Sequence, residues 1–404
     1  MSMSTIARSL PGDGTPDRYV DRKRYLWVLS VVWPAAPLIG LYLVHLTGWS
    51  IFYAFTLFVW YGVIPAFDVL FGKDPNNPPE TAVARLEADR YYRVLTWLTV
   101  PVHYASLVGC AWWIATQPIA WWGVVALAFS LGIVNGLALN TGHELGHKKE
   151  PFDRWMAKIV LAVVGYGHFF IEHNKGHHRD VATPEDPATS RMGENIYKFS
   201  LREIPGAFLR AWNLEKVRLE RVGKSVWSLD NEIIPPLLIT LVVYAALLLA
   251  FGPNPKLLVF LPIQMAFGWW QLTSANYIEH YGLLRQKMAD GRYERAQPRH
   301  SWNSNHIASN LILFHLQRHS DHHAHPTRSY QSLRDFKGLP ELPTGYPGMF
   351  FMALIPPVFR MVMDPRVVKW ADGDIDKIQI DPARRKQIGR KYGSARRASQ
   401  RPLN

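Results

Sequence analysis

The chain has 404 residues, 48 % of them apolar and 13 % aromatic, with Lys+Arg 45 against Asp+Glu 32 and a formal net charge of +13. A single cysteine excludes a disulfide framework and an iron–sulfur cluster. So basic a chain is either a nucleic-acid binder or a membrane protein with basic loops, and the distribution of its apolar residues decides between them.

Residues 1–24 are a polar N-terminal segment without a signal-peptide run, ending in Arg22, Lys23 and Arg24. Six apolar runs follow, at Tyr25–Leu46, Trp49–Leu70, Val94–Thr116, Ile119–Leu139, Ile233–Phe251 and Leu257–Tyr277. Each approaches the roughly 20 residues that cross a bilayer as a helix. Thr47-Gly48, Gln117-Pro118 and the segment Gly252 to Lys256 join them into three hairpins, and these joints hold one basic residue, Lys256. Arg22, Lys23, Arg24, Arg85, Arg90 and Arg93 flank the opposite ends, so the positive-inside rule puts both termini in the cytoplasm. Tyr25, Trp27, Trp49, Trp112, Trp113, Trp121 and Trp122 fall near span ends, where aromatic belts form. Two further runs, Trp155–Ile171 and Pro347–Met363, are at the lower limit of spanning length, about 17 residues. If the first crossed, the histidines on its two sides would face different compartments. Both are therefore read as interfacial or re-entrant.

Nine of the 16 histidines gather at four places on the cytoplasmic side. His143 and His147 lie after the fourth span in GHELGHKK. His173, His177 and His178 lie in EHNKGHH, His280 closes the sixth span, and His319, His322 and His323 lie in HSDHH. Helical neighbours at i+3 and i+4 project from one face, so each cluster offers converging imidazoles. His178, at i+5 from His173, is rotated on by roughly a further 100° and is free to serve a second metal. His143-Glu144-x-x-His147 alone matches a zinc metalloprotease, which needs three ligands, an open position and a glutamate base. Nine histidines are too many for that and suit two metals; imidazole alone does not choose among iron, copper and zinc.

NTGHELGHKKE, EHNKGHHRDVATP, NYIEHYGLLRQ and LQRHSDHHAHPTRSYQSL resemble the boxes of the histidine-box membrane hydroxylases and desaturases. The NYIEHYGLLRQ stretch is similar to the signature of the AlkB-type alkane hydroxylases, and the resemblance runs from about Tyr25 to Ile380. It implies an all-α integral membrane fold of six transmembrane helices with a cytoplasmic, histidine-rich di-metal cap, spanning residues 25–382. It implies two Fe ions in a non-haem centre held by the nine histidines. The activity implied is conversion of the terminal methyl of medium-chain alkanes to a primary alcohol with O2 and two electrons. It further implies rubredoxin as electron donor, a rubredoxin reductase behind it, and residence in a bacterial inner membrane. No Gly-x-Gly-x-x-Gly follows a strand pattern, so no flavin or nicotinamide fold is expected and the electrons must come from outside. Acyl chains and methyl-substituted aromatics are the alternative substrates.

Ligating histidines usually donate their other N–H to a carboxylate or carbonyl, which makes Glu144, Glu172, Asp180, Glu279 and Asp321 candidates for that role. His168, in an apolar run, is read as a neighbour rather than a ligand, as are His306, His315 and His325. Trp60 lies about ten residues, roughly 15 Å at helical rise, from the cytoplasmic end of the second span, where a bulky side chain would close a substrate channel. Leu137, six residues before His143, is a second channel candidate. From Ala383 onward the chain is polar and basic, and residues 383–404 are expected to be disordered. No aromatic-lined platform accompanies this tail, so no nucleic-acid partner is expected.

Overall fold

A computed structural model describes residues 19–393, whose regular elements are all helices joined by turns and loops; among them only isolated β-bridges occur, at four places, and no strand. The first two helices are α1, Arg24–Thr47, and α2, Ser50–Phe71. Pro34 removes a backbone donor and a 3-10 turn, Trp33–Ala35, interrupts α1 there; α2 widens into a π-helical turn at Val59–Val63. A short helix α3, Glu80–Ala88, precedes α4, Arg90–Thr116, whose start is capped by the Asp89 carboxylate accepting from the Tyr91 amide at 3.0 Å. Next come α5, Trp121–Gly146, and α6, Pro151–Ala162. Beyond lie α7, Ile196–Glu220, α8, Ile234–Phe251, and α9, Pro255–Glu279. The last elements are α10, His319–Ala324, α11, Tyr346–Ala353, α12, Pro356–Trp370, and α13, Arg385–Tyr392.

Five of these helices, α1, α2, α4, α5 and α8, are long and apolar enough to cross a membrane. The sixth expected span is a continuous 25-residue helix, α9, but it is less apolar than those five. The reason is positional: Gln264, Gln271, Thr273, Ser274 and Asn276 are all buried and face protein, not lipid. The most extensive packing is of α9 against α5, whose membrane window is 78 % buried against 17 % for the peripheral α8. Glycines permit this close approach, as small residues do between membrane helices. A Cβ at Gly136 would come within 2.4 Å of the Gln271 Cβ, and one at Gly132 within 2.7 Å of the Phe267 Cβ.

Helix α5 also runs further than expected, to Gly146 rather than Leu139. Its 26 residues make about 39 Å, exceeding a hydrocarbon core of roughly 30 Å, so the extra turns carry His143 past it. The run Trp155–Ile171 does not form one rod. Helix α6 stops at Ala162, the chain turns through Gly165 at φ 63°, and helix resumes at Phe169. In the second short run α11 and α12 meet at 119°, where Pro356 and Pro357 begin the new helix.

The basic tail departs from expectation. Asp381 caps a turn at Pro382–Arg384, and α13 follows with Ile388 buried over Gly193. Ile388, the packing of Tyr392 on the same core and the Arg385–Asp376 ion pair at 2.6 Å therefore hold part of a segment whose composition alone reads as disordered; residues 1–18 and 394–404 lie outside the described part.

Candidate metal centre

Each histidine box sits on an element fixed from beneath. α5 delivers His143 and His147 from its last turn. The box 319–323 is placed by a buried ionic cluster in which Arg318 reaches Asp74 at 2.9 Å, the Leu333 carbonyl at 2.7 Å and Asn305 at 3.0 Å. Lys23 also pairs with Asp74, so residues before α1, after α2 and before α10 are tied at one point. Asn303 caps α10 by accepting from the Ser320 amide at 2.8 Å.

All nine histidines come together, in two groups. His143, His147, His173, His178 and His322 form one; His177, His280, His319 and His323 form the other, with one ring nitrogen of each within 4.8 Å of the rest of its group. In the first, Nε2 of His322 stands 2.8 Å from Nε2 of His143 and 3.0 Å from that of His178, which is 2.9 Å from Nε2 of His173. In the second, Nε2 of His323 and His319 are 2.9 Å apart. Imidazole nitrogens bind such metals at about 2.1 Å, which separates neighbours at right angles by about 3.0 Å. The spacing and donor set therefore fit one ion per group. The groups are adjacent: the rings of His178 and His323 are 4.6 Å apart.

The sequence left the partition open, and the two groups divide two of the boxes between them. His178 stays with His173, and His177 is the residue that leaves. Residues Glu172–His177 form a π-helical turn, in which the repeat is i to i+5, so His173 and His178 share a face. In the last box His319 and His323, at i and i+4, serve the second group while His322 turns to the first.

Burial, and then the neighbouring rings, push His173, His178, His319, His322 and His323 well below the ordinary imidazole value, leaving them neutral with lone pairs free. His177 is the exception. Burial opposes its protonation too, but Asp186, whose carboxylate is 2.9 Å from Nδ1, outweighs it and raises His177. The reciprocal holds for Asp186: burial alone would raise it, yet His177 and Arg210 keep it well below the usual carboxylate range. Asp186 thus stands behind His177 as carboxylates stand behind metal-bound histidines. His280 Nδ1 faces the His300 carbonyl at 3.2 Å in the same manner.

The carboxylates singled out by proximity in sequence have other partners. Glu144 is held by Lys148 at 2.9 Å and the Tyr330 amide at 3.4 Å, Glu172 by Arg210, and Asp180 by Arg179 at 2.7 Å. Asp321 receives His325 at 2.7 Å and Arg328 at 2.9 Å. Only Glu279 approaches a grouped histidine, with Oε2 3.4 Å from His319 Nε2. His168 is buried against Tyr166, ring centroids 4.1 Å apart, and belongs to neither group. Asp186 was missed because it lies nine residues past His177, across a turn that no helical period reaches.

A narrow apolar cavity leads away from the histidines. His143, His173 and His319 form one part of its wall, and Trp60, Leu137 and Phe350 line it too. Trp60 is fully buried, stacked on Trp33 at 6.1 Å, so it does not face lipid.

Comparison with known proteins follows this geometry. The model of the fatty acid desaturase family matches residues 119–353, a span that includes every grouped histidine. An alkane 1-monooxygenase of Ectopseudomonas oleovorans is 72 % identical over 95 % of both chains, and one of Pseudomonas putida is 73 % identical over 94 % of both. Alkane 1-monooxygenase 1 of Alcanivorax borkumensis is 70 % identical over 97 % of both. The chain belongs to the alkane 1-monooxygenase family. As an alkane 1-monooxygenase family member it is an oxidoreductase with a histidine-box metal site and membrane-spanning helices.

Proposed function

We propose that the protein hydroxylates the terminal methyl of medium-chain n-alkanes to primary alcohols, taking O2 and two electrons from rubredoxin, which a separate reductase reloads. The observation that carries this reading is the meeting of two imidazole groups with one apolar cavity at His143, His173 and His319. The nine histidines would hold two Fe ions, five and four imidazoles respectively. Iron bound there supplies activation of O2 and the oxidising power to break an unactivated C–H bond. The chain's own residues do the rest. Asp186 and the His300 carbonyl fix the rings of His177 and His280. Trp60, Leu137 and Phe350 exclude water and hold the chain lengthwise, so that a terminal methyl is the carbon nearest the histidines. We further propose the bacterial inner membrane as its location, with three helical hairpins and both termini cytoplasmic.

The test is metal analysis combined with product detection in a system reconstituted with rubredoxin and its reductase. His177→Ala and His322→Ala should lower bound iron and abolish alcohol formation while membrane insertion persists. A variant with full iron and full turnover would remove that histidine from the ligand set. Glu144→Gln separates the protease reading, which predicts complete loss; a hydroxylase should keep its metal and measurable turnover. Octane, decanoate and xylene supplied in parallel identify the substrate class by product.

A further inference from the structure

A basic cavity lies outside the two histidine groups. It encloses about 280 Å³ at the start of α6, and Lys149, Pro151, Arg154, Trp155 and Lys158 line it without a carboxylate among them. The acids of this stretch are turned elsewhere: Asp153 and Glu150 both face Arg93, at 2.7 and 3.6 Å. Glu232 alone reaches the basic side, holding Arg154 at 2.9 Å and Lys158 at 3.1 Å. Three cations against one carboxylate leave an excess of positive charge, to which the N-terminal end of the α6 dipole adds. Among the described residues the exposed Lys149 ammonium has no ion-pair or hydrogen-bond partner.

The helix ends around the cavity fix its level. Arg93 lies in the first turn of α4, Lys149 three residues past α5, and Glu232 two residues before α8. All three helices are long and apolar enough to cross a membrane. The cavity therefore sits where spans end, at the depth of lipid headgroups. There α6 leaves Phe152 and Trp155 54 % and 50 % exposed, three residues apart and so on one face. An apolar stripe beside basic groups is how a helix in the interface plane meets lipid. Two of the cations are placed before any ligand arrives, with Lys158 over the Trp155 ring at 5.0 Å and Arg154 over Phe170 at 4.8 Å. Binding then orders few side chains, which keeps its entropic cost low.

We infer that this cavity binds one anionic phospholipid, its phosphodiester seated among Lys149, Arg154 and Lys158 and its acyl chains against Phe152 and Trp155. Arginine offers phosphate paired donors and lysine a point charge. Basic pockets at the ends of membrane helices hold headgroups of this kind. A zwitterionic lipid would bring a further cation to a place that already has an excess, so headgroup charge decides which lipid is kept.

The experiment equilibrates the iron-loaded full chain in micelles with equimolar phosphatidylglycerol and phosphatidylcholine of identical acyl chains, and counts retained lipid by native mass spectrometry. One phosphatidylglycerol per chain should be kept in preference to phosphatidylcholine. Lys149→Gln should lower that retention by about fivefold, the contribution of one basic residue near an anionic surface. Its melting temperature should not move, since Lys149 is exposed and unpaired. Trp155→Ala should lower retention too, by removing part of the acyl seat, and it keeps the test open if the glutamine variant misfolds. Inorganic phosphate in excess should not displace the lipid; displacement would mean a free-phosphate site and overturn the lipid assignment. Equal retention of the two lipids by the unaltered protein would overturn the site, and so would a preference that survives both substitutions.

Discussion

Asp186 shows what a side chain adds once the fold has brought it home. It is fully buried, accepts from Thr189 at 2.6 Å and Arg210 at 2.7 Å, and faces His177 Nδ1. Asp186→Asn keeps the size and removes the charge, so His177 loses the group that fixes its ring and basicity. Such partners are typically worth about 10–100-fold in metal affinity. Chelator titration with iron counted per chain should therefore reveal one weakened site out of two, and wild-type retention of both would deny Asp186 that role. Eight of the grouped histidines stood out in the sequence because clusters need only local spacing, whereas the isolated His280 stood out only through its NYIEHYGLLRQ motif. Asp186 was not, since a turn and not a periodicity sets its position. Trp60 was half legible: helical rise fixed its depth, and only packing decided its direction. Trp60→Ser should extend hydroxylation toward chains beyond about a dozen carbons, the length that fits the roughly 15 Å between this residue and its helix end. Alcohols from a C8 to C16 series per mole of iron test this, and an unchanged profile in a well-folded variant would put the cavity's end elsewhere. Expression needs checking first, because large-to-small core changes cost a few kcal/mol.

At the scale of elements, irregular helix is what sequence periodicity could not foresee. A strict α-helical count through EHNKGHH pairs His173 with His177, whereas the π-helical turn pairs it with His178. The amphipathic logic was otherwise sound: five of the six expected spans are apolar helices, and α9 lacked the apolarity because its polar residues point inward. One of those contacts makes the docking of α7 on α9 sensitive to pH. Glu203 on α7 accepts from Thr273 at 2.7 Å and Asn276 at 3.1 Å. Burial, opposed in part by Thr273, pushes its carboxyl up to about 7 from an ordinary 4.5. Its folded value is thus the higher one, so the folded state holds more protons between those values and stability falls as pH rises through that window. The loss is on the order of 3 kcal/mol at most. Melting of the detergent-solubilised protein should drop between about pH 5 and pH 7, and Glu203→Gln should flatten that slope. An equal slope in the variant would mean that other groups carry it.

For the molecule as a whole, the question is how electrons reach histidines that are buried among helices. Its single cysteine, Cys110, is buried, so the chain cannot build an iron–sulfur relay of its own. The net charge of +13 offers a field that attracts an acidic carrier and speeds its encounter more than it tightens the complex. These two features make a joint prediction. Purified protein given alkane, O2 and NADH should stay inactive until rubredoxin and its reductase are added. With rubredoxin limiting, the rate should then fall several-fold as salt rises from low to physiological, where charge is screened beyond about 8 Å. With rubredoxin saturating, salt should change kcat little, because chemistry at a buried centre is shielded from bulk ions. Stopped-flow oxidation of reduced rubredoxin separates the two regimes. Turnover sustained by NADH alone would mean a redox group within the chain, and a salt-independent encounter would mean that the basic residues serve the membrane surface rather than the carrier.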